Sequence, residues 1–464
     1  MGVLEETREA LAGCTAWLVG GALRDRLMGR VGEDLDLVVE GDVERAARTL
    51  ARTLRGACFA LSDEFGAWRV VRHAGGGQVD LNPLRAASLA GDLALRDFTV
   101  NAIAQPLGGG ELIDPLGGAE DLRRGVLRPC GPEAFRDDPL RTLRLVRFAS
   151  ELGLEVAAES VRLARASAPA LAGVAAERVF AELARILVSP RPDDGMRLAG
   201  ELGLLATVLP EVQALDGVEQ SRFHHLDVWG HTLEVLAEAR ALGEDPGARL
   251  GADHAPAVRA LLDEPLADGL TRGGALRFGA LLHDVAKPLT RAVRDDGRVI
   301  FPGHDERGTE LSREILTRLR SSERLRSHVA ALTRQHLRLG FLVHERPLSA
   351  RAEFAYLRAC GPVAADVTLL SVADRLATRG AKAEPAIERH LELAREILPA
   401  ALRWHAEGPV GAPVRGDVLA RSIGLAPGPE LGALLEELAA ARYAGELSTA
   451  QEAIEHARLQ RARG

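Results

Sequence analysis

The stretch LVGGALRDRLMGRVGEDLDLVV, residues 18–39, combines two glycines with a segment that carries two aspartates. Its end, from Leu35 to Val39, is apolar and β-branched, which predicts a β-strand. Side chains two positions apart lie on the same face of a strand, so Asp34 and Asp36 are expected to project together. Two adjacent carboxylates repel each other unless a cation lies between them, and Mg²⁺ is commonly held by one or two carboxylates together with substrate phosphates. The pattern therefore predicts a magnesium site.

Gly20 and Gly21 lie at a predicted strand-to-helix turn, after the apolar segment Trp17–Val19 and before a helical segment that starts at Ala22. Glycines at such a turn allow a phosphate to approach backbone N–H groups, and the dipole of the following helix favours anions. A plain β-turn beside a polar strand is the alternative. Because the aspartate pair follows so closely, we favour a metal-dependent phosphoryl-transfer site.

The composition is typical of a globular protein with several domains. The chain has 464 residues, enough for about three domains. The net charge of −8 argues against indiscriminate nucleic-acid binding, so any RNA must contact local basic patches. The four cysteines form no CxxC pair, as expected in a reducing compartment. No apolar run reaches the ~18 residues of a membrane span, and the acidic start does not resemble a signal peptide. We expect a cytoplasmic protein without membrane contacts, and the number of subunits stays open.

The pattern of apolar residues divides the chain into a mixed head and a long helical remainder. Strand-like segments alternate with helical ones in residues 1–120, whereas strand signals almost vanish after that point. The predicted strands of the head are Trp17–Val19, Leu35–Val39, Trp68–Arg72 and Gln78–Leu81. The predicted fold class is multidomain α+β, with a head (1–120), a helical neck (121–195), a metal-binding helical domain (196–385) and a helical tail (386–464). Residues 243–274, rich in Gly, Pro and Asp, are predicted to be a loop or insert, and residues 423–432 a tight turn between helices.

Two further motifs place polar groups beside this head. In LRDFT (95–99), Asp97 and Thr99 offer acceptors for a ribose hydroxyl, although the same residues fit a simple helix start. In DDPLRTLRLVRF (137–148), Asp138 and Pro139 suit the first positions of a helix. An Asp–Arg pair at Asp138 and Arg141 offers both acceptors and donors to a base edge.

In this order, the motifs LVGG-A-LRD, EDLDLVV, LRDFTVNAIA, LIDPLGG and DDPLRTLRLVRF resemble those of the class II tRNA nucleotidyltransferase/poly(A) polymerase family. The resemblance covers nearly all of the first 190 residues. It implies a polymerase-β-like head with a mixed sheet and helices, Mg²⁺ as cofactor, and CTP, ATP and tRNA as partners. The implied catalytic metal ligands are Asp34 and Asp36, with Asp80 as a candidate third carboxylate. The implied nucleotide-binding residues are Gly20, Gly21, Arg24 (with Asp25 beside it), Arg96, Asp97, Asp138, Arg141 and Arg144.

One departure from that family concerns which nucleotides are added. Between VDLNPLR and LRDFT the chain has only AASLAGDLA, where many CCA-adding members have a longer flexible segment that has been tied to the switch from C to A addition. The short connector leaves three possibilities open: CCA addition, CC addition, or A addition alone. A poly(A) polymerase of the same superfamily is a further alternative.

Nine of the thirteen histidines lie between His224 and His344. Imidazoles and carboxylates on separate helices converge well on a divalent metal. The order His, His-Asp, His, His, Asp at positions 231, 283–284, 304, 336 and 374 resembles that of the HD-domain phosphohydrolases. This resemblance implies phosphatase and 2′,3′-cyclic phosphodiesterase activity with a divalent metal of unknown identity. The implied ligands are His231, His283, Asp284, Asp374, His304 and His336. Lys287 lies a turn beyond the His283–Asp284 pair and is a candidate phosphate contact, with a solvated lysine as the equal alternative. His224 and His225 are left unassigned.

The C-terminal segment GPVGAPVRGDVLARSIGLAPGPELG, residues 408–432, resembles the tail of the same family. Arg415 and Arg421 are its candidate RNA contacts, and a helical hairpin that only packs is the alternative. Two rival functions complete the list of hypotheses: an HD phosphohydrolase with an inactive head, and a non-catalytic tRNA-binding factor.

Overall fold

The computed structural model describes residues 2–30, 32–62, 66–73, 76–221, 224–380 and 383–463. The chain forms two compact units. The first contains Met1–Arg178 and Leu198–Val208, and the second contains Val179–Arg197 and Leu209–Gly464. None of the described helices has the length and apolar character needed to cross a membrane.

A six-stranded sheet forms the centre of the first unit. Its strands are β1 (Ala16–Val19), β2 (Leu35–Val39), β3 (Gly56–Ser62), β4 (Ala67–Arg72), β5 (Gln78–Pro83) and β6 (Ala104–Pro106), arranged in the order β3-β4-β5-β2-β1-β6. β2 and β5 are parallel, whereas the other neighbours are antiparallel. The predicted α+β class with a mixed-sheet head is confirmed.

The two faces of β2 have different partners, because successive side chains of a strand alternate. Leu35, Leu37 and Val39 belong to the larger apolar core of the head. Val38 packs on the opposite face with Leu93 and other residues of segment 89–104. Asp36 alternates with Leu35 and Leu37 and therefore shares the face of Val38. This alternation places the predicted metal ligand on the side of the sheet that the segment 89–104 covers.

The remaining elements are mostly helical. The α-helices of the described chain, α1 to α26 in order, are Val3–Ala10, Gly20–Leu27, Val43–Thr53, Leu89–Ala94, Gly118–Arg123, Ala134–Asp137, Arg141–Leu152, Ala158–Ser167, Ala176–Val188, Pro192–Glu201, Leu204–Val208, Pro210–Gln213, Val228–Glu244, Gly247–Leu250, Ala255–Asp263, Arg272–Leu282, Lys287–Thr290, His304–Arg318, Glu323–Gln335, Arg338–Leu342, Ala350–Cys360, Ala364–Ala377, Ala383–Glu407, Gly416–Ile423, Pro429–Tyr443 and Ala450–Arg463. Short 3₁₀ helices span Thr99–Asn101, Ala168–Gly173 and Gly361–Val363. Three small strand pairs join β7 (Val126–Leu127) to β8 (Glu155–Val156), β9 (Pro265–Ala267) to β10 (Leu270–Thr271), and β11 (Ala292–Val293) to β12 (Val299–Ile300).

The predicted loop at 243–274 is wrong. This segment contains α14, α15 and the β9–β10 pair. In α15, Val258, Leu261 and Leu262 are buried, and their spacing of three and four residues is that of one helix face. The polar composition concealed this short apolar stripe. The predicted turn between helices at 423–432 is confirmed, because α24 ends at Ile423 and α25 begins at Pro429.

Candidate functional site

The Gly-Gly turn of the head lies directly against Asp36. Gly20 follows β1 and has a left-handed backbone with φ +67°, a conformation that disfavours any residue with a Cβ. A Cβ added there would lie 3.2 Å from Asp36 Oδ2 and 3.2 Å from Arg96 Nη1. A Cβ on Gly21 would lie 3.5 Å from Arg24 Nη2 and 3.9 Å from Asp36 Oδ2. The two glycines therefore leave space between a carboxylate and two guanidinium groups.

The three carboxylates predicted for this site have different surroundings. Asp36 is half-buried on β2, and Asp34 is exposed just before the strand, where it accepts a hydrogen bond from the Gln78 backbone N–H at 3.1 Å. Asp80 is the register partner of Asp36 on the parallel strand β5. Both oxygens of Asp80 accept hydrogen bonds of 2.7 Å from Arg69. Asp34 and Asp36 thus keep free oxygen atoms for a cation, whereas Asp80 is held by Arg69.

The charges around Asp36 oppose one another. Burial raises the pKa of Asp36, and the nearby carboxylates Asp80 and Asp34 add to this effect, whereas Arg96 and Arg24 lower it. A cation beside Asp36 would remove the repulsion between the carboxylates. The guanidinium groups in turn are suited to anionic phosphates. The residues present thus fit a divalent cation with a bound triphosphate.

Arg24 and Arg96 are fixed by contacts within the first unit. Arg24 donates to Asn101 Oδ1 at 2.7 Å and to Asp25 Oδ1 at 2.8 Å, and its guanidinium lies 5.0 Å from the Phe148 ring centroid. Arg96 Nη2 lies 3.5 Å from Asp92 Oδ2. The Nε atom of Arg96 is buried and has no hydrogen-bond partner among the described residues.

The buried side chain of Asp97 connects the 3₁₀ helix at Thr99–Asn101 to α7 by hydrogen bonds. It accepts hydrogen bonds from the Phe98 backbone at 2.8 Å and Asn101 Nδ2 at 3.0 Å, and from Arg144 Nε and Nη2 at 2.9 and 2.6 Å. Burial alone would raise the pKa of Asp97, but Arg144, Asn101 and the Phe98 backbone lower it overall. The structure therefore pairs two of the predicted nucleotide-binding residues, Asp97 and Arg144, with each other.

Asp138 and Arg141 have separate partners. Asp138 Oδ2 accepts from Arg178 Nη2 at 2.8 Å, whereas Arg141 Nη2 donates to the Leu95 carbonyl at 2.8 Å. The predicted helix start at Asp138 and Pro139 is wrong, because α7 begins at Arg141. Asp138 instead accepts the Leu140 backbone N–H at 3.2 Å in a turn that precedes the helix. Sequence analysis missed Arg178, which lies forty residues further along the chain and carries no local signal.

The second unit brings the six predicted HD ligands together in two groups of three. The first group consists of His231, His283 and Asp374, and the second consists of Asp284, His304 and His336. Within each group the candidate ligand atoms all lie within 4.8 Å of one another. These residues come from α13, from the C-terminal ends of α16 and α19, from the start of α18, and from α22.

Asp284 connects the two groups. Its Oδ2 atom lies 3.1 Å from His283 Nε2 and 3.7 Å from His231 Nε2, whereas its Oδ1 atom lies 3.4 Å from His304 Nε2 and 3.7 Å from His336 Nε2. Burial would raise the pKa of Asp284, but His283, Lys287 and His304 lower it strongly overall. The carboxylate is therefore ionised and has one oxygen directed at each group.

Three of the histidines are oriented for metal binding. The Nδ1 atoms of His283, His304 and His336 lie 2.7–2.8 Å from the backbone carbonyls three residues earlier. Such a contact makes Nδ1 the protonated nitrogen and leaves the Nε2 lone pair for a metal. Nε2 of His304 and Nε2 of His336 are only 3.4 Å apart. Two lone pairs at this distance repel each other unless a cation binds both, so this donor set fits a divalent metal.

Two basic residues lie beside these ligands. Lys287 Nζ lies 2.6 Å from Asp284 Oδ2 and donates to Gln220 Oε1 at 2.7 Å. His224 is half-buried, and its ring centroid lies 5.1 Å from that of His231. Burial, followed by the charges of His231 and Lys287, lowers the pKa of His224 to about 3. His225 lies 3.4 Å from Glu234 Oε1. Lys287 and His224 both line a cavity of about 370 Å³ that the metal-ligand groups border.

In the tail, Arg415 and Arg421 share one carboxylate. Both guanidinium groups lie 3.1 Å from Asp417 oxygens and are highly exposed. Surface ion pairs of this kind are weak, so these arginines remain available to a phosphate.

Comparisons with known proteins agree with this architecture. Residues 16–128 match the poly A polymerase head domain, residues 153–215 the probable RNA and SrmB-binding site of polymerase A, and residues 228–379 the HD domain. An A-adding tRNA nucleotidyltransferase from Deinococcus radiodurans is 38% identical over 446 residues, which cover 94% of each chain. A CC-adding tRNA nucleotidyltransferase from Thermus thermophilus is 36% identical over 94% of this chain and 92% of its own length. The solved complex of a CCA-adding enzyme with ATP has a TM-score of 0.64 at 20% identity and covers 100% of this chain and 94% of the enzyme.

The head and HD matches define a nucleotidyltransferase of the poly A polymerase head class that carries an HD domain. Within that class, the chain belongs to the tRNA nucleotidyltransferase family, because two relatives are more than 35% identical across nearly its whole length. The resemblance inferred from the sequence motifs is confirmed.

Proposed function

We propose that the chain transfers CMP, AMP or both from CTP and ATP to the 3′ end of tRNA, at a site built on Gly20, Gly21, Asp34 and Asp36. The observation that carries this proposal is the contact between the Gly20 turn and Asp36, with Arg24 and Arg96 at the same point. Divalent cations at Asp34 and Asp36, which we propose to be Mg²⁺, would activate the RNA 3′-hydroxyl and stabilise the leaving pyrophosphate. Because tRNA, CTP and ATP are cytoplasmic, we place the activity in the cytoplasm.

The chain's own residues position the reactants in this proposal. The backbone N–H groups of the Gly20–Gly21 turn and the Arg96 guanidinium hold the triphosphate, because Arg96 Nη1 lies directly at this turn. Asp138 and Arg141 present acceptor and donor groups to the incoming base. Arg178 orients the Asp138 carboxylate, and the partly buried Asp97–Arg144 pair fixes α7 relative to the 3₁₀ helix at Thr99–Asn101.

A partial enzyme that adds only CC is the second candidate, favoured by the short connector at residues 86–94. Most of this connector is helix α4, whose Leu93 is fully buried and whose Asp92 binds the Arg85 backbone N–H at 3.0 Å and lies near Arg96. A segment tied down in this way is poorly suited to the rearrangement that a switch from C to A addition requires. Dedicated A addition to an end that already carries CC stays the other partial activity.

The test is nucleotide incorporation into tRNA transcripts that end at the discriminator base, in -C, or in -CC, with labelled CTP and ATP offered separately and together. Growth to CCA identifies a complete enzyme, arrest at CC a CC-adding enzyme, and extension of the -CC transcript alone an A-adding enzyme. ATP incorporation without CTP on unrelated RNAs would identify a poly(A) polymerase. No incorporation on any transcript in the presence of Mg²⁺ would refute the assignment of Asp34 and Asp36 and leave the inactive-head or tRNA-binding hypotheses.

For residues 228–379, which match the HD domain and are called the HD unit below, we propose a metal-dependent phosphatase and 2′,3′-cyclic phosphodiesterase that repairs RNA ends. The proposal is supported by the carboxylate oxygens beside two histidine Nε2 atoms, with Asp374 Oδ1 3.1 Å from His231 and Asp284 Oδ2 3.1 Å from His283. It is also supported by the two lone pairs that face each other at His304 and His336. A divalent metal there would supply the activated water and bind the phosphate oxygens. Lys287 and His224 line the adjoining cavity and would contact the substrate.

The HD proposal is tested with adenosine 2′,3′-cyclic phosphate after chelation and reloading with Mg²⁺, Mn²⁺, Co²⁺ or Ni²⁺ in turn. Hydrolysis restored by at least one metal supports it. Asp284→Asn should abolish this hydrolysis and preserve nucleotide addition, whereas Asp36→Asn should have the opposite effect. Hydrolysis that persists in Asp284→Asn would assign the activity to another part of the chain.

A further inference from the structure

A second cavity of about 200 Å³ adjoins the metal-ligand groups of the HD unit. His336 and Asp374 form part of its wall, so it reaches the edge of the cluster. Arg375 and Thr378 line both this cavity and the larger one of about 370 Å³. Only the second cavity extends to Arg389 on α23, away from the ligands. The two cavities therefore share a common wall and lead from the metal cluster to an arginine that the proposed hydrolysis does not use.

The two arginines of this cavity have few partners. Arg389 is exposed, and in the described part of the chain it has no hydrogen bond and no ion pair. Arg375 donates only a long hydrogen bond of 3.4 Å to the Thr378 carbonyl. Its Nε atom is buried and lacks a hydrogen-bond partner among the described residues. Among the described residues that line this cavity, Asp374 is the single carboxylate, and it belongs to the first metal-ligand group.

Two guanidinium groups at one cavity repel each other, and a bound anion removes that repulsion. The planar donor fork of arginine matches the oxygen atoms of a phosphate. The larger cavity, bordered by four of the six ligand residues (Asp284, His304, His336 and Asp374), is the place for the phosphate that is hydrolysed. An anion at Arg375 and Arg389 is then a second phosphate of the same molecule.

We propose that Arg375 and Arg389 form a binding site for the 5′-phosphate of the RNA nucleotide whose 3′-terminal phosphate lies at the metal cluster. The inference rests on the proposed HD hydrolase and specifies its substrate class. The preferred substrate is the end of an RNA chain, in which a phosphodiester precedes the terminal nucleoside, rather than a free nucleoside cyclic phosphate. Leu337 lines both cavities and offers an apolar contact to the nucleoside between the two phosphates.

The test compares adenosine 2′,3′-cyclic phosphate with its 5′-phosphorylated form as substrates of the full chain. We expect wild-type protein to have a higher kcat/KM for the 5′-phosphorylated substrate, and Arg389→Gln to lower that value about tenfold, chiefly through KM. Hydrolysis of the substrate without a 5′-phosphate should change less than twofold. Arg403→Gln is the matched control, because Arg403 is an exposed arginine of the same helix that does not line the cavity.

A binding measurement separates this inference from the proposed hydrolysis. Binding of adenosine 3′,5′-bisphosphate and of adenosine 3′-monophosphate is measured by calorimetry. Wild-type protein should bind the bisphosphate more tightly than the monophosphate, and Arg389→Gln should lose this difference in affinity. The head contributes equally to both proteins, so it cancels in the comparison. The second-phosphate site would be overturned if Arg389→Gln lost affinity equally for both ligands or lost kcat/KM equally for both substrates. It would also be overturned if the variant showed no loss for either. Wild-type protein that hydrolyses neither substrate with any metal, but shows the binding gain, would refute the hydrolase and retain the phosphate site.

Discussion

Gly20→Ala should damage nucleotide addition far more than it damages the fold. Gly20 has φ +67°, and a Cβ there would lie 3.2 Å from Asp36 Oδ2 and from Arg96 Nη1. The new methyl group forces the Asp36 carboxylate, the Arg96 guanidinium or the turn itself to move by a few tenths of an ångström. Gly29 is the matched control, because its φ is +72° and nothing lies within 4 Å of an added Cβ. Gly29→Ala therefore has the same unfavourable backbone conformation without the contact.

The expected magnitudes follow from the left-handed backbone conformation, which both variants share, and from the contact of the new methyl group, which only Gly20→Ala makes. An alanine in the left-handed region costs about 1–2 kcal/mol, so both variants should lose a similar free energy of unfolding in urea. A catalytic group displaced by about 1 Å loses roughly a hundredfold in rate. For the smaller shift at Asp36 we expect Gly20→Ala to lower kcat/KM for CTP or ATP incorporation about tenfold or more. Gly29→Ala should retain the wild-type rate at a temperature where both proteins are folded.

Hydrolysis by the HD unit provides an internal reference, because both variants leave it unchanged under this reasoning. If Gly20→Ala and Gly29→Ala lose nucleotide addition equally, Gly20 serves only as a turn, and the contact with Asp36 has no functional meaning. Normal activity of Gly20→Ala would refute the close approach itself.

Three further predictions concern ionic contacts. Arg178→Met should release the Asp138 carboxylate and raise misincorporation of ATP for CTP, with a stability loss of at most about 1 kcal/mol because the pair is partly exposed. Asp97→Asn should cost roughly 3 kcal/mol of unfolding free energy at pH 7, because it removes the buried carboxylate charge that accepts two hydrogen bonds from Arg144. Folding lowers the pKa of Asp97, so the stabilisation by its carboxylate is present above about pH 4 and is lost as the pH falls through the folded-state pKa. In urea unfolding, the difference in unfolding free energy between wild type and Asp97→Asn should therefore disappear in acid. Asp284→Asn should reduce the metal bound per chain, measured by mass spectrometry of the metal, and an unchanged metal content would contradict the ligand assignment.

The sequence predicted those parts of the head whose pattern is local. Strands β1, β2, β4 and β5 were expected from their apolar and β-branched residues. Asp36 lies on β2 as expected, whereas Asp34 precedes the strand. Strand β3, which is GACFALS, consists largely of small residues and lies at the edge of the sheet, so its pairing with β4 determines it. Strand β6 has three residues and is defined by its pairing with β1.

Pairings between distant segments were not accessible to the same reasoning. Arg69 holds Asp80 across two antiparallel strands, and Arg178 holds Asp138 from another helix. The sequence around these two arginines does not differ from that around many other arginines of the chain, so no local signal identifies them. The pairing of Asp97 with Arg144 likewise depends on how α7 packs. Each of these contacts assigns a partner to a charge that sequence analysis left free for a ligand.

The histidine cluster shows why metal ligands are more predictable than their supporting contacts. His283, His304 and His336 lie on different helices, yet each directs Nδ1 to the carbonyl of the residue three positions earlier. This orientation is a property of the local turn, so each of these three histidines has Nε2 available for a metal before the helices pack together. The tertiary fold then needs only to bring the helix ends together, as the six-residue set demonstrates. Asp284 requires more, because only the packed cluster places one oxygen toward each group. Local geometry therefore prepares the individual histidine ligands, and helix packing determines that they form two groups joined by one carboxylate.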